Sequence, residues 1–177
     1  VTEEPETIEL SEHELRVITG YAADCARRVV SVFERGVPAD PRPRAAIAAA
    51  DTFAGGGRRT NALRQSAWAA YRAAREAPSP AAGDAAHAAC QAAAAAFLHP
   101  KASAHQVKHL LGAAAHAARA EELAAAEGLP VTPGTLDWAR RHAPPAVTEV
   151  LGRLPVAPAG GGRVGAFVRE LDAALRG

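Results

Sequence analysis

The chain has 177 residues, a formal net charge of +1 and no dense Lys/Arg run, a balance that argues against a nucleic-acid-binding stripe. Roughly a quarter of the residues are alanine and β-branched runs are scarce, so period-two strands are not expected. No apolar run reaches the length of a membrane span, and the acidic start lacks the basic and apolar regions of a signal peptide.

Residues 1–10 carry Glu3, Glu4, Glu6 and Glu9 around Pro5, too little apolar area to order themselves. They read as a flexible acidic tail, with 11–177 as a single helical domain. Ser11 and Glu14 form a capping-box pattern, and Ile18, Tyr21, Ala22, Cys25, Val29, Val32 and Phe33 keep helical spacing until Gly36 and Pro38. A second helix starts at Asp40 and Pro41 and stops at Gly55-Gly56-Gly57, a turn without the pattern of a phosphate loop. The third runs from about Thr60 to Ala77, with Trp68 and Tyr71 as its large side chains and Arg64, Arg72 and Arg75 on its polar sides. Pro78 ends it. Ser79 and Pro80 start a fourth, almost all alanine to Ala96, whose small residues on nearly every side place it centrally.

The fifth helix is expected over Leu98 to Glu127, closed by Gly128. Val107, Leu110, Leu111, Ala114 and Ala118 form its apolar stripe, with His105, His109, Gly112, His116 and Arg119 roughly opposite. Proline then punctuates shorter helices: Thr132-Pro133 opening one over Leu136 to His142, then Pro145 to Leu154, and finally Arg163 to Arg176. The expected fold is therefore all-α, a single Ala-rich bundle of about five long helices with short C-terminal helices lying over one end.

The histidine face of the fifth helix is the one concentration of candidate chemistry. His105 and His109, spaced i, i+4, could share a ligand, but His116 lies about 10 Å further along the axis by helix rise. No metal site is assigned on that basis, and no cofactor. Asp24, at the edge of the first helix's stripe, is expected to be half-buried and to need a cation from Arg28, Arg42 or Arg44, a bridge between the first two helices. Cys25 and Cys90 have no CxxC spacing and read as reduced core thiols, which favours a cytoplasmic protein.

The segments AADCARRVVSVFE (Ala22 to Glu34), DPRPRAAI (Asp40 to Ile47), AWAAYRAAREA (Ala67 to Ala77) and LHPKASAHQVKHLLGAAAHAARAEELA (from Leu98) together resemble one family. It is the actinobacterial group of putative immunity proteins, immunity-protein-five-like, some of whose members carry an automatic exonuclease-subunit label. The resemblance covers most of Arg16 to Ala125 and continues more weakly through RVGAFVRELDAALR near the C-terminus. It implies an all-helical protein that protects its producer by binding a toxin, without established catalysis. Tyr21 stands where the family leads one to expect Trp or a similar ring, and Cys90-Gln91 where some members show Gly-His. The exonuclease label finds no support in the residues: no nucleotide-binding loop, heptad arm or carboxylate cluster is present.

Two functional readings follow. In the first, the chain is an immunity-type interaction protein with a protein partner, a toxin, and no nucleic acid or membrane. In the second, it binds a small acidic molecule, or acts as an accessory enzyme of specialised metabolism, through a pocket between helices. Arg42, Arg44, Tyr71, Gln91, Gln106 and His116 are the pocket candidates, and no catalytic set is assigned. Were the chain an enzyme, His109, His105 and Asp24 would carry the chemistry.

Overall fold

A computed structural model describes residues 6–177 as nine α-helices: α1 (Glu12–Arg27), α2 (Val30–Gly36), α3 (Arg42–Ala54), α4 (Asn61–Glu76), α5 (Pro80–Ala94), α6 (Gln106–Ala126), α7 (Thr135–His142), α8 (Pro145–Gly152) and α9 (Gly162–Arg176). Among the described residues there is no strand, only an isolated antiparallel bridge between Thr7 and Lys101. The all-α fold expected from composition is the fold observed.

Alanine sets the spacing. On α5, Ala81, Ala85, Ala86, Ala88, Ala89, Ala92 and Ala93 are fully buried, so α4, α6, α3, α1 and α2 all pack against it. Small side chains with no rotamer entropy to lose allow such close approach. The α6 helix is enclosed just as fully, by α5 and α1 on one side and α9, α7 and α8 on the other. The bulk missing from the alanine helices comes from their neighbours: Ile18, Val29, Val30, Phe33, Phe53, Leu110, Leu111, Val147, Val150, Leu151 and Leu171 are almost wholly buried. The C-terminal helices lie along α6 and α1, and the Tyr21 hydroxyl on α1 donates to the Ala139 carbonyl of α7 at 2.9 Å.

The ends of the helices follow the local chemistry of their sequences. Ser11 and Glu14 close both halves of a capping box, and Thr60 and Ser79 cap α4 and α5. Asp40 accepts from the Arg42 backbone N–H at 3.0 Å. Gly128, at φ +70°, follows α6; Leu129 N–H reaches back to the Ala124 carbonyl and Gly128 N–H to that of Ala125, a Schellman closure.

Four expectations are corrected. The predicted first helix is two: at Val29 (φ −124°, ψ −2°) the chain leaves helical geometry, so that the adjacent β-branched Val29 and Val30 both enter the core. The predicted fifth helix begins eight residues later than Leu98, at Gln106. Pro100 disfavours helix for His99, and the segment is held as a loop by Ile8 N–H to the Pro100 carbonyl and Ala102 N–H to the Glu6 carbonyl. Those bonds also order the part of the expected acidic tail that is described, residues 6–10, which is pinned further by Arg153 donating to the Glu9 carbonyl; residues 1–5 of that tail lie outside the described residues. Finally, α7 is capped not by Thr132 but from α6, where the Glu121 carboxylate accepts from the Gly134 and Thr135 N–H groups at 2.7 and 2.8 Å. No helix among the described residues is long and apolar enough to cross a membrane.

Candidate functional site

On α5, the polar and titratable side chains fall on one strip: Asp84, His87, Cys90 and Gln91, at spacings of three and four residues along the helix. α4 flanks this strip with Trp68 and Tyr71, and α6 with His109 and His116. Together they bring imidazole, thiol, amide, carboxylate and aromatic groups onto one face.

At one end is an open cleft of about 540 Å³. α4 contributes Arg64, Ala67, Trp68 and Tyr71; α5 contributes Cys90 and Ala94; Phe97 and His99 come from the turn that follows, and His109 from α6. Trp68 is 57% exposed and stands edge-on to Tyr71, with ring centroids 5.8 Å apart. The Arg64 guanidinium lies 4.5 Å from the centroid of Phe97, and that of Arg59 lies 5.8 Å from the same ring. At the other end, Tyr71 contacts His87, His87 contacts His116 at 5.0 Å between centroids, and His116 Nδ1 is 2.7 Å from Asp84 Oδ1. That last pair fixes the orientation of the imidazole.

Burial governs the ionisation of this surface. His87 is held below the usual histidine range by desolvation and by the neighbouring His116, and His109 by desolvation and by His99. Burial pushes the Cys90 thiol up to about 11 and the Cys25 thiol to about 12, so neither is a ready thiolate. Among the described residues, two buried side-chain polar atoms have no hydrogen-bond partner: His109 Nδ1 and Gln91 Oε1. Gln91 packs across Gly112 of α6, where an added Cβ would lie 3.1 Å from Oε1, so the absence of a side chain at 112 is what admits the amide.

The structure distributes the residues singled out in the sequence. Tyr71 and His109 line the cleft, and Gln91 lies between α5 and α6. His116 is engaged by Asp84, and Gln106 is buried, its Oε1 accepting from the His99 N–H at 3.1 Å. His105 is an exposed residue at the N-cap of α6, whereas His109 is part-buried at the wall of the cleft. Asp24 is exposed rather than half-buried. Its partner is Arg27 at 3.1 Å, which spans to Asp51 on α3 with two bonds of 2.9 and 3.0 Å. Asp24 lines a different depression, between α1 and α7, with His13, Trp138 and His142. Arg42 binds Asp40 and Glu76, and Arg44 binds Glu34, far from any shared pocket with Asp24. Asp24 and Arg42 thus lie away from the cleft that Tyr71 and His109 line. Among the described residues, no group of three or more His, Cys, Asp or Glu side chains is placed to hold a metal.

Sequence reasoning passed over Asp84, His87, Phe97 and Arg64 as site residues. The signal was present in the strip on α5: within so alanine-rich a helix, the few functional side chains share one face.

The arrangement brings aromatic surface, cations and part-buried imidazoles together along one face. Comparison with curated proteins and with solved structures gave no match. A family model matches residues 6–144, from the ordered N-terminal strap through α7: this chain belongs to the Imm-5 like putative immunity protein family.

Proposed function

We propose that the chain is an immunity-type interaction protein that binds a cognate toxin and blocks it sterically and electrostatically, without a cofactor. Family membership over residues 6–144 is the observation that carries this reading. The closed alanine interior supports it, since α5 and α6 leave function to the surface. The cytoplasm is the proposed compartment, both cysteines being free thiols. Co-expression with the toxin encoded beside its gene tests the reading: producing cells survive if it holds, and unaltered killing with the chain present refutes it.

A second reading is favoured by the unpartnered His109 Nδ1 and Gln91 Oε1. Here the cleft takes a small acidic molecule, with His109 as the polar contact at its wall. A thermal-shift screen of small carboxylic acids decides it: stabilisation of the wild type that disappears in His109→Ala supports this reading, and no stabilisation removes it.

A further inference from the structure

We infer that the cleft between α4, α5 and α6 is the docking site for an acidic protein segment that inserts an aromatic or branched apolar side chain against Trp68 and Phe97 while its carboxylates meet Arg59 and Arg64. This deepens the toxin-binding reading and rests on it for the identity of the partner.

The argument begins with charge. From Arg58 to Lys108 there are seven Lys/Arg residues and two carboxylates, Glu76 and Asp84. Both carboxylates are committed elsewhere, Glu76 to Arg42 and Asp84 to His116. Among the described residues none of the seven cations is in an ion pair. Elsewhere the pattern reverses: Arg16, Arg27, Arg44, Arg153, Arg163 and Arg176 each hold a carboxylate. At the cleft, Arg59 and Arg64 approach the same Phe97 ring with no anion paired to either, Arg59 also donating to the Ala96 carbonyl at 3.2 Å. Two guanidinium groups over one ring repel each other, and an incoming carboxylate would relieve that repulsion while accepting in a bidentate manner.

The second line is shape and composition. Trp68 is the one residue among Trp, Phe, Tyr and Ile to rank as an exposed large hydrophobic among the described residues, and it stands at the mouth of the cleft beside Tyr71. Trp, Tyr and Arg are the residues in which binding energy concentrates at protein interfaces once a partner excludes water, and all three line this open cleft. A single-stranded nucleic acid would want a continuous basic track with successive stacking rings. Here the rings surround one hollow, and the cations sit on its rim, where they select an acidic protein surface.

The test uses the intact chain with two probes: a fluorescein-labelled random copolymer of glutamate and tyrosine, read by anisotropy, and the toxin encoded beside the gene, read by survival. The copolymer is expected to bind the wild type in a salt-sensitive manner. It should bind about 30-fold more weakly to Trp68→Ala, more weakly still to Arg59→Glu/Arg64→Glu, and nearly normally to Trp68→Phe and to the remote Arg140→Glu. Circular-dichroism melts confirm that the variants fold, which the exposure of these side chains favours. Equal binding by wild type and Trp68→Ala, or tighter binding of labelled oligothymidylate than of the copolymer, overturns the proposal. In the toxin arm, protection lost in Trp68→Ala and Arg59→Glu/Arg64→Glu supports it; protection that persists in both overturns the site while the toxin reading stands. Failure of the wild type to protect, with copolymer binding still dependent on Trp68, overturns the toxin reading and leaves the docking chemistry supported.

Discussion

Replacing Glu14 by glutamine isolates one ion pair that ties the two ends of the chain together. Glu14 accepts from the Ser11 N–H at 2.8 Å, completing the α1 capping box, and also from Arg153 at the end of α8 at 2.8 Å. Its side chain is 15% exposed and that of Arg153 is 32% exposed. The hydrogen bond from Arg153 is the main reason that the carboxyl is held at about 2, against an ordinary glutamate value of 4.5. At about 1.36 kcal/mol per unit, that depression corresponds to about 3 kcal/mol, an upper bound. Solvent screening of a pair with a partly exposed guanidinium reduces the expectation to about 1–2 kcal/mol. Glutamine keeps the capping geometry and removes the charge, so the loss reports the ion pair rather than the cap. The sign follows from the direction: a carboxyl with a depressed folded pKa contributes stability above its unfolded pKa, and that stability is lost as pH falls from about 4.5 through about 2. Urea unfolding of wild type, Glu14→Gln, Arg153→Ala and the double variant at pH 7 and at steps down to pH 2.5 measures it. The gap between wild type and Glu14→Gln should narrow as pH falls. A gap that is absent at pH 7, or that stays constant down to pH 2.5, refutes the reasoning.

Tyr21→Phe removes the donor to the buried Ala139 carbonyl and should cost about 1–2 kcal/mol in denaturant unfolding, with unchanged helical content. Neither thiol should react appreciably with Ellman's reagent at pH 7; Cys90, half-buried in the cleft, should become reactive above pH 9, and Cys25 only on unfolding. Titration of the imidazole resonances should find His87 and His109 protonating below the ordinary histidine range. Because burial lowers both, their neutral forms favour the folded state above about pH 6.5, and that contribution is lost as pH falls through their folded values. Gly128→Ala should cost about 1 kcal/mol, the left-handed conformation at φ +70° being strained for a residue with a Cβ, although nothing lies within 4 Å to clash with it.

The helices were legible in the sequence because their signals are local. Ser11 with Glu14, Ser79 with Pro80, and Gly128 act within a few residues of themselves, and each works as its type requires. What sequence periodicity could not show is competition from elsewhere in the chain. Residues 6–10 look too polar to order, yet they find backbone partners on the loop around Pro100 and Arg153. α7 is capped by Glu121 across space, and the Val29 break serves the core rather than any local stop signal. The site was legible in part for the same reason. Tyr71 and His109 stand out as large or titratable side chains among alanines, whereas Arg42, Arg44 and Asp24 were selected for charge alone, and each had a carboxylate or guanidinium closer at hand.

The two faces of α6 show why periodicity leaves burial open in an alanine-rich helix. His109, Gly112 and His116 lie roughly opposite the larger apolar residues, a face that the sequence leaves free to line a pocket or to be solvated. In the fold Gly112 is buried against Gln91 of α5 and His116 meets Asp84 of α5, while His105 at the helix start is exposed. A helix flanked by an almost pure alanine partner needs no bulky stripe to be buried, because closeness rather than side-chain volume supplies the contact. The polar residues caught at such a contact are then either paired, as His116 is with Asp84, or stranded, as His109 Nδ1 and Gln91 Oε1 are. The stranded groups lie where the alanine seam opens into the cleft. Tight packing there gives way to rings and unpaired cations, and a partner's side chain can complete the contacts that alanine leaves unfilled.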